Sequence, residues 1–147
     1  MAVLDIQHAA IKTQDLEATI RFYTEVLGLQ LAPRPPMTFP GCWLRIGETM
    51  IHVMAGPDCL NADGTAPYGG AAFDRLALAA CGFDEFKRKL IEHQLDWRQN
   101  SVREAGLWQL FVHDPNGILI ELNFAQSAEP AGSIGPDETM IYYLGKF

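Results

Sequence analysis

Residues 114–124, DPNGILIELNF, join a tight-turn sequence to an apolar run that carries a single carboxylate, Glu121. The first four residues are types that favour a tight turn, and the apolar run that follows predicts a buried strand. An ionised carboxylate inside such a strand is costly unless a cation or a hydrogen-bond donor meets it. Glu121 is therefore expected either to have a charged or metal partner or to be protonated.

The same order of elements occurs twice along the chain, which predicts an internal repeat. Residues 6–11 align with residues 73–78, and residues 50–54 align with residues 119–123. Each copy reads as strand, helix and three strands, so the sequence predicts an α+β fold made of two βαβββ modules. The predicted ranges are 1–57 for the first module, 58–71 for a Gly/Pro-rich connector, 72–125 for the second module and 126–147 for a C-terminal extension.

Apolar spacings of three and four predict helices over residues 15–27, with Asp15 as the N-cap and Gly28 as the stop, and over residues 84–95. Alternating or apolar runs bounded by turn residues predict the strands. These are residues 4–11, 29–33, 42–47, 49–54, 73–78, 96–101, 107–114 and 117–124.

Charge and composition exclude several classes of partner. The net charge of -7, with no run of Lys or Arg, argues against nucleic acid and anionic membrane as partners. No signal-peptide pattern or apolar run of about 18 residues is present. Three widely spaced cysteines without a CxxC pair indicate reduced thiols, and we expect a cytoplasmic protein.

Four polar residues occupy corresponding places in the two copies: His8 and His52 in the first, Arg75 and Glu121 in the second. If the copies pair around a pseudo-two-fold axis, all four can meet in one cleft. Two imidazoles and one carboxylate can hold a divalent metal ion with positions left open. Alternatively, the guanidinium of Arg75 can pair with Glu121 without any metal. From the residues alone, a metal ion and Arg75 both remain open as the partner of Glu121.

Two stretches carry a resemblance to a known family. HAAIKTQDLEATIRFYTEVLGLQL, residues 8–31, and DPNGILIEL, residues 114–122, resemble the opening and closing motifs of the vicinal oxygen chelate superfamily, which includes glyoxalase I, bleomycin-binding proteins and extradiol dioxygenases. The resemblance implies an open, barrel-like sheet of eight strands with the helices outside. It also implies metal ligands at His8, His52 and Glu121, whereas Arg75 stands where the family usually has a third His ligand.

The resemblance implies a metal-dependent lyase, isomerase or dioxygenase that uses Fe, Zn, Ni or Mn to chelate a small oxygen-rich substrate. Glu121 would be the catalytic carboxylate and Arg75 would bind an anionic substrate; a homodimer is expected. The alternative is a metal-free, drug-type binding protein in which Arg75 and Glu121 form a salt bridge. A third reading is an interaction module, because the apolar end MIYYLGKF, residues 140–147, needs burial over the cleft or against a second subunit.

Overall fold

The strand–helix–three-strand pattern is present twice in the computed structural model, which describes residues 1–147. The chain divides into unit 1, Met1–Tyr68, and unit 2, Gly69–Phe147. Unit 1 contains β1 (His8–Thr13), α1 (Leu16–Arg21), β2 (Gln30–Ala32), β3 (Gly41–Ile46) and β4 (Thr49–Ala55). Unit 2 contains β5 (Leu76–Ala80), α2 (Phe83–Glu92), β6 (Trp97–Val102), β7 (Leu107–His113) and β8 (Leu119–Ala125).

Each unit forms its own four-stranded sheet, in the orders β1-β4-β3-β2 and β5-β8-β7-β6. The first and last strands of each unit pair in parallel, and the other neighbours pair antiparallel. The predicted α+β fold of two βαβββ modules is therefore confirmed, with the eight strands divided between two separate sheets.

The first predicted helix keeps its start but changes its geometry before its end. The Asp15 carboxylate caps α1 by accepting a hydrogen bond from the backbone N–H of Ala18 at 2.9 Å. After Arg21 the chain continues as a wider π-helical turn, Phe22–Val26, in which the N–H of Leu27 donates to the carbonyl of Phe22. Gly28 then adopts a positive φ of 77°, which ends the helical segment as predicted.

The second helix is shorter than the predicted 84–95 range. It begins at Phe83, and its first N–H groups are capped from a distance by the Glu129 carboxylate, which accepts from Gly82 and Phe83 at 2.7–3.2 Å. The helix ends at Glu92 because Gln94 turns into the left-handed region with φ of 54°. The periodicity of apolar residues predicts a helix as far as residue 95, because Leu95 still lies on the apolar stripe.

Two strands begin three or four residues later than predicted, and the later start of β5 changes the position of Arg75. β1 starts at His8 rather than at residue 4, and β5 starts at Leu76 rather than at residue 73. A turn in which the N–H of Phe73 donates to the carbonyl of Gly70 occupies the chain before β5. Arg75 therefore lies one residue ahead of the strand and not inside it.

Each sheet buries the face that meets its helix. In unit 2 the fully buried side chains include Phe83 and Leu90 from α2 with Leu110 and Phe124 from the sheet. Burying an aliphatic or aromatic side chain of this size contributes about 1.5–3 kcal/mol. The polar residues described below lie on the opposite face of each sheet. None of the helices has the length and apolar character needed to cross a membrane.

Candidate functional site

The two predicted histidines of unit 1 lie together in an aromatic stack. Pairing between strands places His52 directly beside Trp43 of β3, on the same sheet face. The His52 ring stacks on the Trp43 ring with centroids 4.3 Å apart and an interplanar angle of 8°. The His8 ring covers the other side of His52 at 4.1 Å and 18°.

The electrostatics of this stack favour the neutral form of His52. Its pKa is lowered, first by burial and then by the positive charges of His8 and Arg34. A neutral imidazole has one unprotonated ring nitrogen, which can accept a hydrogen bond or coordinate a metal.

Glu121 in unit 2 has its partners within the same unit. Its Oε2 accepts a hydrogen bond from Nη1 of Arg75 at 2.8 Å, in a salt bridge between two largely buried side chains. Its Oε1 accepts from Nε2 of Gln109 at 2.9 Å and from Nδ2 of Asn123 at 2.8 Å. Both carboxylate oxygens are thus satisfied, and the question raised by the buried carboxylate is answered by a guanidinium and two amides.

The amide partners follow from strand register. Asn123 is two residues after Glu121 and shares its face, while Gln109 of β7 pairs with Asn123 in the next strand. From the sequence alone, neither amide has a predicted role. Alternation along residues 107–113 could have indicated Gln109, because its neighbours Trp108 and Leu110 point to the helix side.

Arg75 connects two carboxylates. Its Nε donates to Oδ2 of Asp74 at 2.6 Å in addition to the bond with Glu121. Burial alone would lower the Arg75 pKa, but these hydrogen bonds and the nearby Tyr142 phenol outweigh it and raise the pKa. The guanidinium is therefore fixed as a cation, and the three charged groups together carry one net negative charge.

The C-terminal segment, residues 126–147, supplies an aromatic side chain to this face of unit 2. The N–H of Tyr142 donates to the carbonyl of Gln99 in β6, so the segment runs along the edge of the sheet. The Tyr142 ring stacks on Phe111 with centroids 3.8 Å apart and an interplanar angle of 9°. The guanidinium carbon of Arg75 lies 5.3 Å from the Tyr142 ring centre. The sequence predicts burial of this apolar end but not these partners, because the contact joins positions far apart in the chain.

The arrangement of the predicted ligands does not suit a divalent metal. A metal ion lies close to the plane of each imidazole that binds it, along a nitrogen lone pair, about 2 Å from the nitrogen. The near-parallel planes of His8 and His52 do not meet at that distance, so one ring would have to leave the stack. Glu121 already accepts three hydrogen bonds, one at Oε2 and two at Oε1, with which a metal ion would have to compete. Within neither unit do three His, Cys, Asp or Glu side chains group as metal ligands.

Comparison with known proteins places the chain in a family. Residues 5–122 match the family model described as Glyoxalase/Bleomycin resistance protein/Dioxygenase superfamily. The chain is 26% identical over 120 residues to Glyoxylase I 4 of Arabidopsis thaliana, covering 80% of this chain and 68% of the relative.

Solved structures share the fold. A lactoylglutathione lyase from Agrobacterium tumefaciens is 19% identical with a TM-score of 0.61, over 84% of this chain and 95% of that chain. TnmS3, an antibiotic binding protein from Streptomyces sp. CB03234, is 20% identical with a TM-score of 0.64, over 85% of this chain and 98% of that chain. The family match covers most of the chain and includes both repeats, so this protein belongs to the Glyoxalase/Bleomycin resistance protein/Dioxygenase superfamily.

Proposed function

We propose that this protein binds a small oxygen-rich molecule on the Arg75–Glu121 face of unit 2 and that binding needs no metal ion. The observation that carries the proposal is that both Glu121 oxygens already accept hydrogen bonds, from Arg75, Gln109 and Asn123. A carboxylate held in this way orients the guanidinium, and a metal ion would have to compete with these donors for it.

Arg75 supports the proposal in two further ways. Arg75 stands at the position of a usual family ligand, and a guanidinium has only donors and no lone pair with which to bind a metal ion. The Nη2 group of Arg75 makes no hydrogen bond in the structure, so it is free to donate to a ligand oxygen. TnmS3 has this fold and binds an antibiotic, so a binding role is compatible with the architecture.

The test uses benzamide, a neutral molecule with a carbonyl acceptor, titrated into chelator-treated protein and followed by amide chemical shifts. We expect saturable binding that added Zn²⁺ does not strengthen. Arg75→Gln should weaken it about tenfold, since a hydrogen bond from a charged donor contributes roughly 1.5–3 kcal/mol.

Arg88→Gln is the matched control, because Arg88 is exposed on α2 and pairs with Glu92. It should leave the benzamide affinity unchanged. Binding that appears only with metal, or equal losses in the two arginine variants, would contradict the proposal.

A metal-dependent lyase, isomerase or dioxygenase is the second candidate. Two observations favour it: His8 and His52 adjoin on one sheet face, and the lowered pKa of His52 keeps that imidazole in the neutral form. This candidate requires one ring to leave the stack and Glu121 to leave its donors. The homodimer stays a prediction under either candidate.

A further inference from the structure

The groups around Arg75 point to the kind of oxygen that the ligand presents. This inference rests on the proposed function and extends it to the ligand's chemical class. Two polar groups on the unit 2 face have no protein partner: Nη2 of Arg75 and the hydroxyl of Tyr142. Because no buried side-chain nitrogen or oxygen in the structure lacks a hydrogen-bond partner, both groups reach solvent.

Tyr142 is held firmly at this place. Its ring lies flat on Phe111, and its own N–H donates to the carbonyl of Gln99 at 3.0 Å. The N–H of Gln99 in turn donates to the carbonyl of Met140 at 2.8 Å. The Gln99 side chain is fully buried and donates to the Asp137 carboxylate at 2.8 Å. Lys87 also donates to Asp137, at 2.9 Å. The segment is therefore anchored at the tyrosine and at residues 137 and 140 before it.

The charges beside Tyr142 disfavour a carboxylate ligand. The single positive charge of Arg75 is shared between Asp74 and Glu121, at 2.6 and 2.8 Å. A carboxylate brought to Nη2 would be the third negative charge around one guanidinium, and like charges at such distances repel. An uncharged carbonyl or hydroxyl oxygen accepts the same hydrogen bonds without that repulsion.

We propose that Tyr142 is a ligand-binding residue, and that its hydroxyl and Nη2 of Arg75 both donate to an uncharged carbonyl oxygen of the ligand. Asp74 and Glu121 give this pair its selectivity for neutral acceptors over carboxylates. The site thus favours small neutral carbonyl compounds such as amides, esters, lactones and ketones. The C-terminal segment, beyond the residues matched by the family model, supplies one of its two donors.

The experiment titrates benzamide and benzoate, which have nearly the same shape and differ in charge, into the full chain. Tyr142→Phe removes only the hydroxyl and keeps the ring on Phe111, and it should weaken benzamide about tenfold. Tyr143→Phe is the matched control, since Tyr143 is an exposed neighbour, and it should bind benzamide as the wild type does. The wild type should bind benzoate at least about tenfold more weakly than benzamide.

Asp74→Asn tests the charge argument, because an asparagine oxygen can still accept from Nε of Arg75 while one negative charge is lost. The ratio of the benzamide affinity to the benzoate affinity should be smaller in this variant than in the wild type. Any one of three results would overturn the inference. They are equal affinity of the wild type for benzamide and benzoate, an unchanged ratio of these two affinities in Asp74→Asn, and unchanged benzamide affinity in Tyr142→Phe. If benzamide binding still depends on Arg75 in that case, the proposed function stands. If benzamide does not bind to the wild type at all, both this inference and the proposed function are wrong.

Discussion

Glu121 has a different role in the two candidate functions, as a metal ligand in the enzyme and as the partner of Arg75 in the metal-free binding protein. A carboxylate in an apolar strand was the strongest sequence signal, and it correctly indicated a polar centre. From the sequence, a metal ion and Arg75 both remain open as its partner, and one does not exclude the other. The structure pairs Glu121 with Arg75 and adds two amide donors, so the carboxylate is stabilised inside its own unit.

Removing one partner of this pair should cost more stability than removing both. Arg75→Met leaves Glu121 largely buried without its cation, and we expect a loss of about 1–3 kcal/mol in the free energy of unfolding. The double variant Arg75→Met/Glu121→Leu removes both charges and should recover most of that loss. Urea denaturation of the two variants and the wild type measures the difference. A double variant less stable than Arg75→Met would show that the pair is not coupled in this way.

At the scale of elements, the C-terminal segment is the part that the sequence did not place. Its apolar end predicts burial over the cleft or against a second subunit, and nothing local decides between these two surfaces. In the structure the segment follows unit 2: Glu129 caps α2, Asp84 accepts from the N–H groups of Ile134 and Gly135, and residues 140–142 run beside β6. These contacts join residues about 40–50 positions apart, as the pairs Glu129–Gly82 and Asp84–Ile134 show, and short-range patterns carry no information about them.

Gly135 tests whether this docking stabilises the unit. It has φ of 76°, and a Cβ there would lie 2.6 Å from the Trp108 ring. Gly145 has a similar φ of 73° with nothing within 4 Å, so it shares the backbone strain but not the clash. We expect Gly135→Ala to lower the free energy of unfolding by about 1–3 kcal/mol more than Gly145→Ala does. Equal effects in chemical denaturation would show that close packing of the segment on Trp108 contributes nothing.

The helices and strands show which sequence rules succeed. Asp15 and Gly28 bounded the first helical segment correctly, since capping and left-handed termination are local. The start of β5 was placed three residues early, because the apolar and polar residues before it continue a strand-like pattern into a turn. The length of a parallel strand is set by its partner, and Leu76 pairs with Ile120 at the point where β5 begins.

At the scale of the whole molecule, one repeated topology carries two different polar centres. The first and last strands of unit 1 bring His8 and His52 into a stack with Trp43, whereas the corresponding region of unit 2 carries a salt bridge and an amide network. Internal repetition could be predicted from sequence because both copies keep the same order of apolar segments. Among the polar contacts, the sequence offers the Arg75–Glu121 pair as one of two answers, and the structure shows that pair. The other polar contacts could not be predicted, since they depend on rotamers and on the C-terminal segment.

Whether Glu121 serves as a metal ligand is tested most directly by calorimetric titration. Zn²⁺, Ni²⁺, Mn²⁺ and, without oxygen, Fe²⁺ are titrated into the wild type, Glu121→Gln and His52→Ala. Glu104→Gln, in an exposed turn, serves as the control. Because Glu121 is held by Arg75, Gln109 and Asn123, we predict that the Glu121→Gln variant binds each metal ion with the same affinity and stoichiometry as the wild type. One metal ion per chain in the wild type, with affinity falling tenfold or more in both Glu121→Gln and His52→Ala but not in Glu104→Gln, would contradict it.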